Sequence, residues 1–151
     1  MSKVILTEYR STEFENLLEM SLDLFKDYPP SETERDLIAI VKKPNYSTFL
    51  AKKSGLSIGF VTVSIRSDYV EGSSTSPVGY IEAIYVKPQY RKDGIARQLY
   101  EKAESWAAQK GCTEIGSDTW EWNLEAQNFH TRLGFKKEDI LVHYIKSINK
   151  K

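Results

Sequence analysis

The chain has 151 residues, 40% of them hydrophobic, which suits one globular domain over residues 1–151 that buries about 70% of its unfolded surface and needs no second domain. Twenty-one basic residues balance twenty-one acidic ones, so no global field draws the protein to nucleic acid or an anionic membrane, and a charged ligand has to be recognised locally. The opening MSKVILTEYR lacks a signal-peptide apolar core, no run of about 18 apolar residues exists, and the single Cys112 cannot form an internal disulfide; a cytoplasmic, reduced setting with no metal, nucleic-acid or membrane partner is expected.

VILTEY, residues 4–9, reads as a strand. Thr12 and Glu15 have capping-box spacing, and Phe14, Leu17, Leu18, Leu22 and Phe25 recur at helical intervals until Tyr28-Pro29-Pro30 stops them. Ser31 and Glu34 repeat the capping spacing ahead of a stripe of Leu37, Ile38 and Val41, and Pro44 ends this second helix. YSTFLAKK and LSIGFVTVSIR form two strands joined by Ser54-Gly55, the mark of an antiparallel hairpin. The polar SDYVEGSSTSP is a long loop. VGYIEAIYV, residues 78–86, is the strongest strand pattern, closed by Pro88. From Ile95, the series Ile95, Leu99, Ala103, Trp106, Ala107 makes one face of a helix that Gly111 stops. CTEIGSDTW supplies a further strand. Asn123 caps a helix over LEAQNFHTRL ending at Gly134, and two strands, around Phe135 and through LVHYIKSI, close the order.

The run QYRKDGIARQLY puts Arg91, Lys92 and Gly94 at the mouth of a helix. A helix start already carries roughly half a positive charge, so this concentration of cations calls for an anion. A strand, a glycine turn and a helix start aim successive N–H groups at one point, which suits a phosphate; a solvated turn is the alternative. Arg91-Lys92-Asp93-Gly94-Ile95-Ala96 matches R-x-x-G-x-A, the pyrophosphate-binding turn of the Gcn5-related N-acetyltransferase (GNAT) family, which the chain resembles. The order of elements resembles that family's layout over almost the whole chain, whereas no G-x-G-x-x-G or G-K-[ST] turn supports a dinucleotide or P-loop fold.

The resemblance implies an α/β (α+β) GNAT fold, a mixed central sheet of about seven strands with a splay between its two central parallel strands, flanked by four helices. It implies acetyl-coenzyme A as cofactor, its pyrophosphate on the N–H groups from Arg91 to Ala96 and its pantetheine arm paired like an extra strand with Ile84, Tyr85 and Val86. Between Ser64 and Trp120, SIRSDYVEGSSTSPVGYIEAIYVKPQYRKDGIA and CTEIGSD resemble aminoglycoside 6′-N-acetyltransferases of the chromosomal Acinetobacter type; the first sixty residues resemble them less. Acetyl transfer to a primary amine follows, the 6′-amine of an aminoglycoside foremost. Another amine, of a polyamine, peptide or protein, and a non-catalytic acetyl-coenzyme A-binding module are the alternatives.

An amine arrives as ammonium and must lose a proton before it attacks a thioester, so carboxylates are expected near the strand splay. Glu82 lies in an otherwise apolar strand, with Ile84 two residues on and on the same face; a surface glutamate paired with lysine is the competing reading. Asp118 closes the next strand, at the carboxyl end where ligands collect in open α/β sheets, or is an ordinary turn aspartate. By resemblance both positions belong to the acceptor site. His130 stands in FHTRLGF where many family members have FYxxLGF and a tyrosine placed to protonate the thiolate; it either exchanges that proton or packs beside Phe129. Asn123 matches the family asparagine that contacts pantetheine, or serves only as an N-cap. Asp68, Tyr69 and Glu71 in one loop and Trp120, Glu121 and Trp122 in another form an acidic, aromatic rim that suits a polycationic sugar, and equally a polyamine or a protein lysine. Tyr69 and Trp120 are equally candidates for packing anchors of the expected homodimer.

Overall fold

The computed structural model describes residues 3–149, which divide into a unit ending at Asp118 and a unit beginning at Thr119. The first holds a sheet in the order β1 (Val4–Glu8), β2 (Tyr46–Lys53), β3 (Leu56–Arg66), β4 (Val78–Val86), β5 (Ile115–Ser117), with helices α1 (Phe14–Leu24), α2 (Pro30–Ile40) and α3 (Ile95–Gln109). The second holds α4 (Leu124–Leu133).

Strands β1 to β4 are antiparallel neighbours and β5 runs parallel to β4, so the sheet is mixed as expected. Five strands form among the described residues, not about seven. The segment 135–149 carries Phe135, Leu141, Val142, Tyr144 and Ile145 in strand-like sequence, yet no residue of it joins a ladder. A strand exists only where its N–H and C=O groups meet a neighbour, and pattern alone does not supply one. The β2–β3 turn is as read: Ser54 and Gly55 have φ of 53° and 77°, the two positive values a type I′ turn requires.

Helix starts differ from expectation. A 3-10 turn, Ser11–Glu13, precedes α1, and Glu13 Oε1 accepts from the Arg10 backbone N–H at 3.0 Å in place of the Thr12/Glu15 box. Helix α2 begins on Pro30, whose fixed φ suits a first turn, and has no side-chain cap, so Ser31 and Glu34 do not make the expected pair.

Leu17, Leu18 and Met20 of α1 and Leu37 of α2 pack with Leu50, Phe60 and Tyr85 on one side of the sheet. Ile95, Leu99, Ala103 and Ala107 of α3 are buried on the other, where a Cβ built on Gly79 would lie 2.7 Å from that of Ala107. Each fully buried Leu among these contributes about 1.5–3 kcal/mol.

The register of β4 decides where its chemistry points. Thr62 pairs with Ala83 and Val63 with Ile81, so Glu82 is the extra residue of a β-bulge. The bulge resets the alternation. A Cβ on Gly79 would meet Ala107 of α3 and one on Gly59 would meet both Leu99 of α3 and Val86, whereas Tyr85 packs with α1, so Ile81, Ile84 and Val86 lie on the α3 side. Tyr80 and Glu82 face the other way. Glu82 and Ile84 therefore do not share a face, contrary to the simple count of two. Parallel pairing with β5 covers only Gly79↔Ile115, Tyr80↔Gly116 and Ile81↔Ser117; beyond Ile81, that edge of β4 has no ladder partner among the described residues. None of the described helices is long and apolar enough to cross a membrane.

Candidate active site

On the face of β3 and β4 away from α3, four side chains form a chain of contacts leading to β5. Glu82, half-buried, accepts from Ser64 Oγ at 2.5 Å and from Arg66 in a two-pronged pair, Nε to Oε2 at 3.0 Å and Nη2 to Oε1 at 2.9 Å. Burial works against the Arg66 charge, but the hydrogen bond and charge of Glu82 outweigh it and hold the guanidinium pKa above its ordinary value. The Arg66 guanidinium lies 3.5 Å from the centre of the Tyr80 ring, a cation–π contact. The Tyr80 hydroxyl donates to Asp118 Oδ2. Burial first, then that hydrogen bond and the Asp118 charge, push the phenol pKa well above its usual value, so Tyr80 remains a neutral donor. Arg66 thus compensates Glu82, and the exposed Asp118 keeps an uncompensated negative charge within this network.

Asp68, Tyr69 and Glu71 lie on the 67–77 loop between β3 and β4, flanking a buried Val70; Tyr69 is 74% exposed and so is no packing anchor within this chain.

The turn into α3 is of another character. Gly94 is its N-cap with φ 80°, in the left-handed region, and Lys92 has φ 70°. No side chain caps the helix. The first N–H groups of a helix have no partner inside it, so this start presents its donors outward. A Cβ built on Gly94 would meet nothing within 4 Å, so glycine is required there by conformation and not by crowding from the chain itself. Arg91 is turned back: its Nε donates to the Val86 carbonyl at 2.7 Å and its guanidinium lies 5.6 Å from the Tyr85 ring centre. Tyr85 in turn donates to Asp23 of α1; burial, then that bond, push its pKa up to about 12. Arg91 therefore straps the end of β4 to the turn. Ile95 is buried, while Lys92 and Asp93 are exposed and Ala96 is half-buried.

In the second unit, Asn123 Oδ1 accepts from the Ala126 backbone N–H at 3.0 Å, which makes it the N-cap of α4. His130 Nδ1 sits 2.6 Å from the Ala126 carbonyl one turn back, so that nitrogen carries the hydrogen, and its ring meets Phe129 and Phe135 edge-on at 6.2 and 5.3 Å. Trp120 and Trp122 are exposed, as is Glu121, whose carbonyl accepts from Gln127 at 2.6 Å.

Sequence reading alone did not single out Ser64, Arg66 or Tyr80. Their signal was the period-2 pairing of Ser64 with Arg66 and Tyr80 with Glu82, usable only once Ser64 is known to stand opposite Tyr80.

Residues 11–135 match the model of the acetyltransferase (GNAT) family. An aminoglycoside N(6′)-acetyltransferase type 1 from Salmonella enteritidis is 34% identical over 139 residues, spanning 92% of this chain and 96% of that protein. The enzyme of that name from Acinetobacter haemolyticus is 41% identical over 100 residues, 66% of this chain and 69% of its own. Among solved structures, the aminoglycoside N-acetyltransferase AAC(6′)-Iy in complex with coenzyme A superposes with a TM-score of 0.91 at 32% identity, covering 98% of this chain and 97% of the other. The same enzyme bound to a bisubstrate analogue, coenzyme A-S-monomethyl-acetylneamine, superposes with a TM-score of 0.89 at 33% identity, covering 97% and 100%.

Proposed function

The chain belongs to the acetyltransferase (GNAT) family, and from that membership we propose that it carries an acetyl group from acetyl-coenzyme A to the 6′-amine of an aminoglycoside. It is an acetyl-coenzyme A-dependent N-acetyltransferase. The observation that carries the acceptor is likeness along nearly the whole chain, in sequence and in fold, to 6′-N-acetyltransferases.

Acetyl-coenzyme A supplies an activated acetyl thioester. Two features fit it: among the described residues, the β4 edge runs on past Ile81 without a ladder partner and the start of α3 has no side-chain cap. We assign Ile84, Tyr85 and Val86 to the arm, the turn Arg91, Lys92, Asp93, Gly94, Ile95 and Ala96 to the pyrophosphate, and the side-chain amide N–H of Asn123 to the same cofactor. On the acceptor side, Asp118 is exposed and accepts from a neutral phenol, whereas the Glu82 charge is already matched by Arg66. Asp118 is therefore assigned to hold the ammonium and take its proton, with Glu82 kept in the acceptor site by Arg66 and Ser64. His130 holds its Nδ1 hydrogen on the Ala126 carbonyl, which makes Nε2 the atom through which it exchanges a proton. Asp68, Tyr69, Glu71, Trp120 and Glu121 are assigned to the remaining ammonium groups and sugar faces of the acceptor. A homodimer in the cytoplasm is part of the same reading; what supports the dimer is the exposed apolar side chains of Ile140, Leu141, Val142, Tyr144, Ile145 and Ile148, in a segment that joins no ladder among the described residues.

Steady-state acetylation of aminoglycosides, polyamines and peptides, followed by release of free thiol, tests the reading. Acceptors bearing a free 6′-amine should react and their 6′-hydroxyl analogues should not. Equal turnover of both kinds would mean that another amine is the acceptor; brisk acetylation of spermidine or a peptide alone would move the assignment there. Cofactor binding with no turnover of any amine would leave a binding module.

A further inference from the structure

Glu114 precedes β5 and takes no part in the network that joins Glu82 to Asp118. Its carboxylate nevertheless gathers every polar donor of two consecutive residues in the 67–77 loop. Ser74 N–H reaches Oε1 at 2.9 Å and Oε2 at 3.2 Å, Thr75 N–H reaches Oε1 at 2.8 Å, Ser74 Oγ reaches Oε2 at 3.4 Å, and the Thr75 hydroxyl also donates to Oε1. Hydrogen bonds to an ionised acceptor are about twice as strong as neutral ones.

From there the hold passes along the loop. Ser73 donates to the Val70 carbonyl through both its N–H, at 2.9 Å, and its hydroxyl, at 2.6 Å. Val70 is buried in a small cluster with Val78 and Tyr80, and a Cβ on Gly116 would come within 2.9 Å of Val70 Cγ1, so β5 carries glycine where this loop seats. Asp68, Tyr69 and Glu71 are the immediate neighbours of that anchored residue. The Glu114 carbonyl also accepts from Gly79 N–H at 3.0 Å, at the start of the β4–β5 ladder that places Tyr80 and leads to Asp118. One residue thus fixes the strand register with its backbone and the loop with its side chain.

We propose that Glu114 is a positioning residue for acceptor recognition, a latch that holds the loop bearing Asp68, Tyr69 and Glu71 in fixed relation to Tyr80 and Asp118; this rests on the assignment of those residues to the acceptor. The latch does not touch the acceptor and has no part in cofactor binding. Its removal should act on the acceptor KM alone. Misplacement by about 1 Å can cost on the order of a hundredfold in an enzyme's reaction, and a loop free to sample other positions is expected to raise the acceptor KM by about tenfold. Acetyl-coenzyme A KM and kcat at saturating acceptor should stay within about twofold, which a general structural defect would not allow.

The variants are Glu114→Ala and Glu114→Asp, examined by steady-state kinetics with an aminoglycoside carrying a 6′-amine and by amide hydrogen exchange at Ser74 and Thr75. In Glu114→Ala, both amides should lose protection as the acceptor KM rises; Glu114→Asp, which keeps the charge on a shorter arm, should recover part of each. Unchanged protection at Ser74 and Thr75 would overturn the latch. Lost protection with an unchanged acceptor KM, or with kcat and both KM values worsened together, would overturn the positioning role. Failure of the acceptor assignment shows instead in the wild-type protein, as absence of aminoglycoside turnover beside acetylation of another amine, and would remove the positioning role by a different route.

Discussion

Where the carboxyl ends of β3 and β5 flank the first half of β4, side chains answer side chains: Arg66 pairs with Glu82, Ser64 adds a donor, Tyr80 stacks under Arg66 and donates to Asp118. At the start of α3 the backbone does the work, with a left-handed Gly94, a left-handed Lys92, no side-chain cap, and an Arg91 engaged with the strand it left. The two ends suit different ligands. A phosphate group has the same shape in every molecule of the cofactor and is met well by fixed N–H dipoles. An amine must be bound and deprotonated, which needs a group with spare charge and a titratable oxygen. The difference predicts that variants at one end should spare the other.

The largest effect is expected at Asp118. Asp118→Asn keeps an oxygen to accept from Tyr80 and removes the charge, so kcat/KM for the acceptor should fall by about a hundredfold or more, within the range for loss of a general base, while acetyl-coenzyme A affinity holds. A drop in cofactor affinity of the same size would show that the two ends are not separable. Next comes Gly94→Val. A non-glycine residue in the left-handed region costs about 1–2 kcal/mol, more for a branched side chain, and a β-carbon obstructs close approach of a ligand, so acetyl-coenzyme A should bind about ten- to thirtyfold more weakly by calorimetric titration. Wild-type affinity in this variant would take the pyrophosphate off the turn.

The two ends were unequally readable in the sequence. The R-x-x-G-x-A turn is local, and the features that matter, a glycine at positive φ and a helix beginning at Ile95, are carried by residues adjacent in the chain; of the expected stripe, Ile95, Leu99, Ala103 and Ala107 are buried as the 3.6-residue period required, and Trp106 at its edge is half-buried. The end assigned to the acceptor is non-local. Arg66 reaches Glu82 only because the β3–β4 register sets them on one face, and that register includes a bulge at a glutamate, a residue type that announces no bulge. Counting by twos therefore placed Glu82 with Ile84 when the strand separates them. The carboxyl segment shows the same limit. Its apolar alternation was plain, but a strand's existence depends on a neighbour that the segment's own residues do not specify.

A smaller effect sharpens the picture of the acceptor end. Arg66 is 41% exposed and Glu82 17%, so water screens the pair in part, and their coupling should be about 1 kcal/mol and not the several expected of a fully buried pair. Urea unfolding of Arg66→Met, Glu82→Gln and the double variant gives this number directly. Arg66→Met alone should be the least stable of the three, because it leaves Glu82 with Ser64 as its only donor in the network. Zero coupling would mean that Ser64 and the bulge hold Glu82 without help, and that Arg66 is there for Tyr80.

The smallest expected effect is a titration. Hydrogen bonds from Thr75 and Ser74 hold the Glu114 pKa below the ordinary glutamate value. A carboxylate with a depressed folded pKa stabilises the closed loop fully above its unfolded pKa, about 4.3, and loses that contribution as pH falls through the lower folded value. The loop should thus stay latched at neutral pH and loosen only in acid. Amide exchange at Ser74 and Thr75, corrected for intrinsic rates, should show constant protection from pH 7 down to about 4.5 and a severalfold loss below it. In Glu114→Ala, protection should be low throughout and show no step, which separates this carboxylate from acid loosening of the chain as a whole. A step of equal size in both proteins would place the titrating group elsewhere.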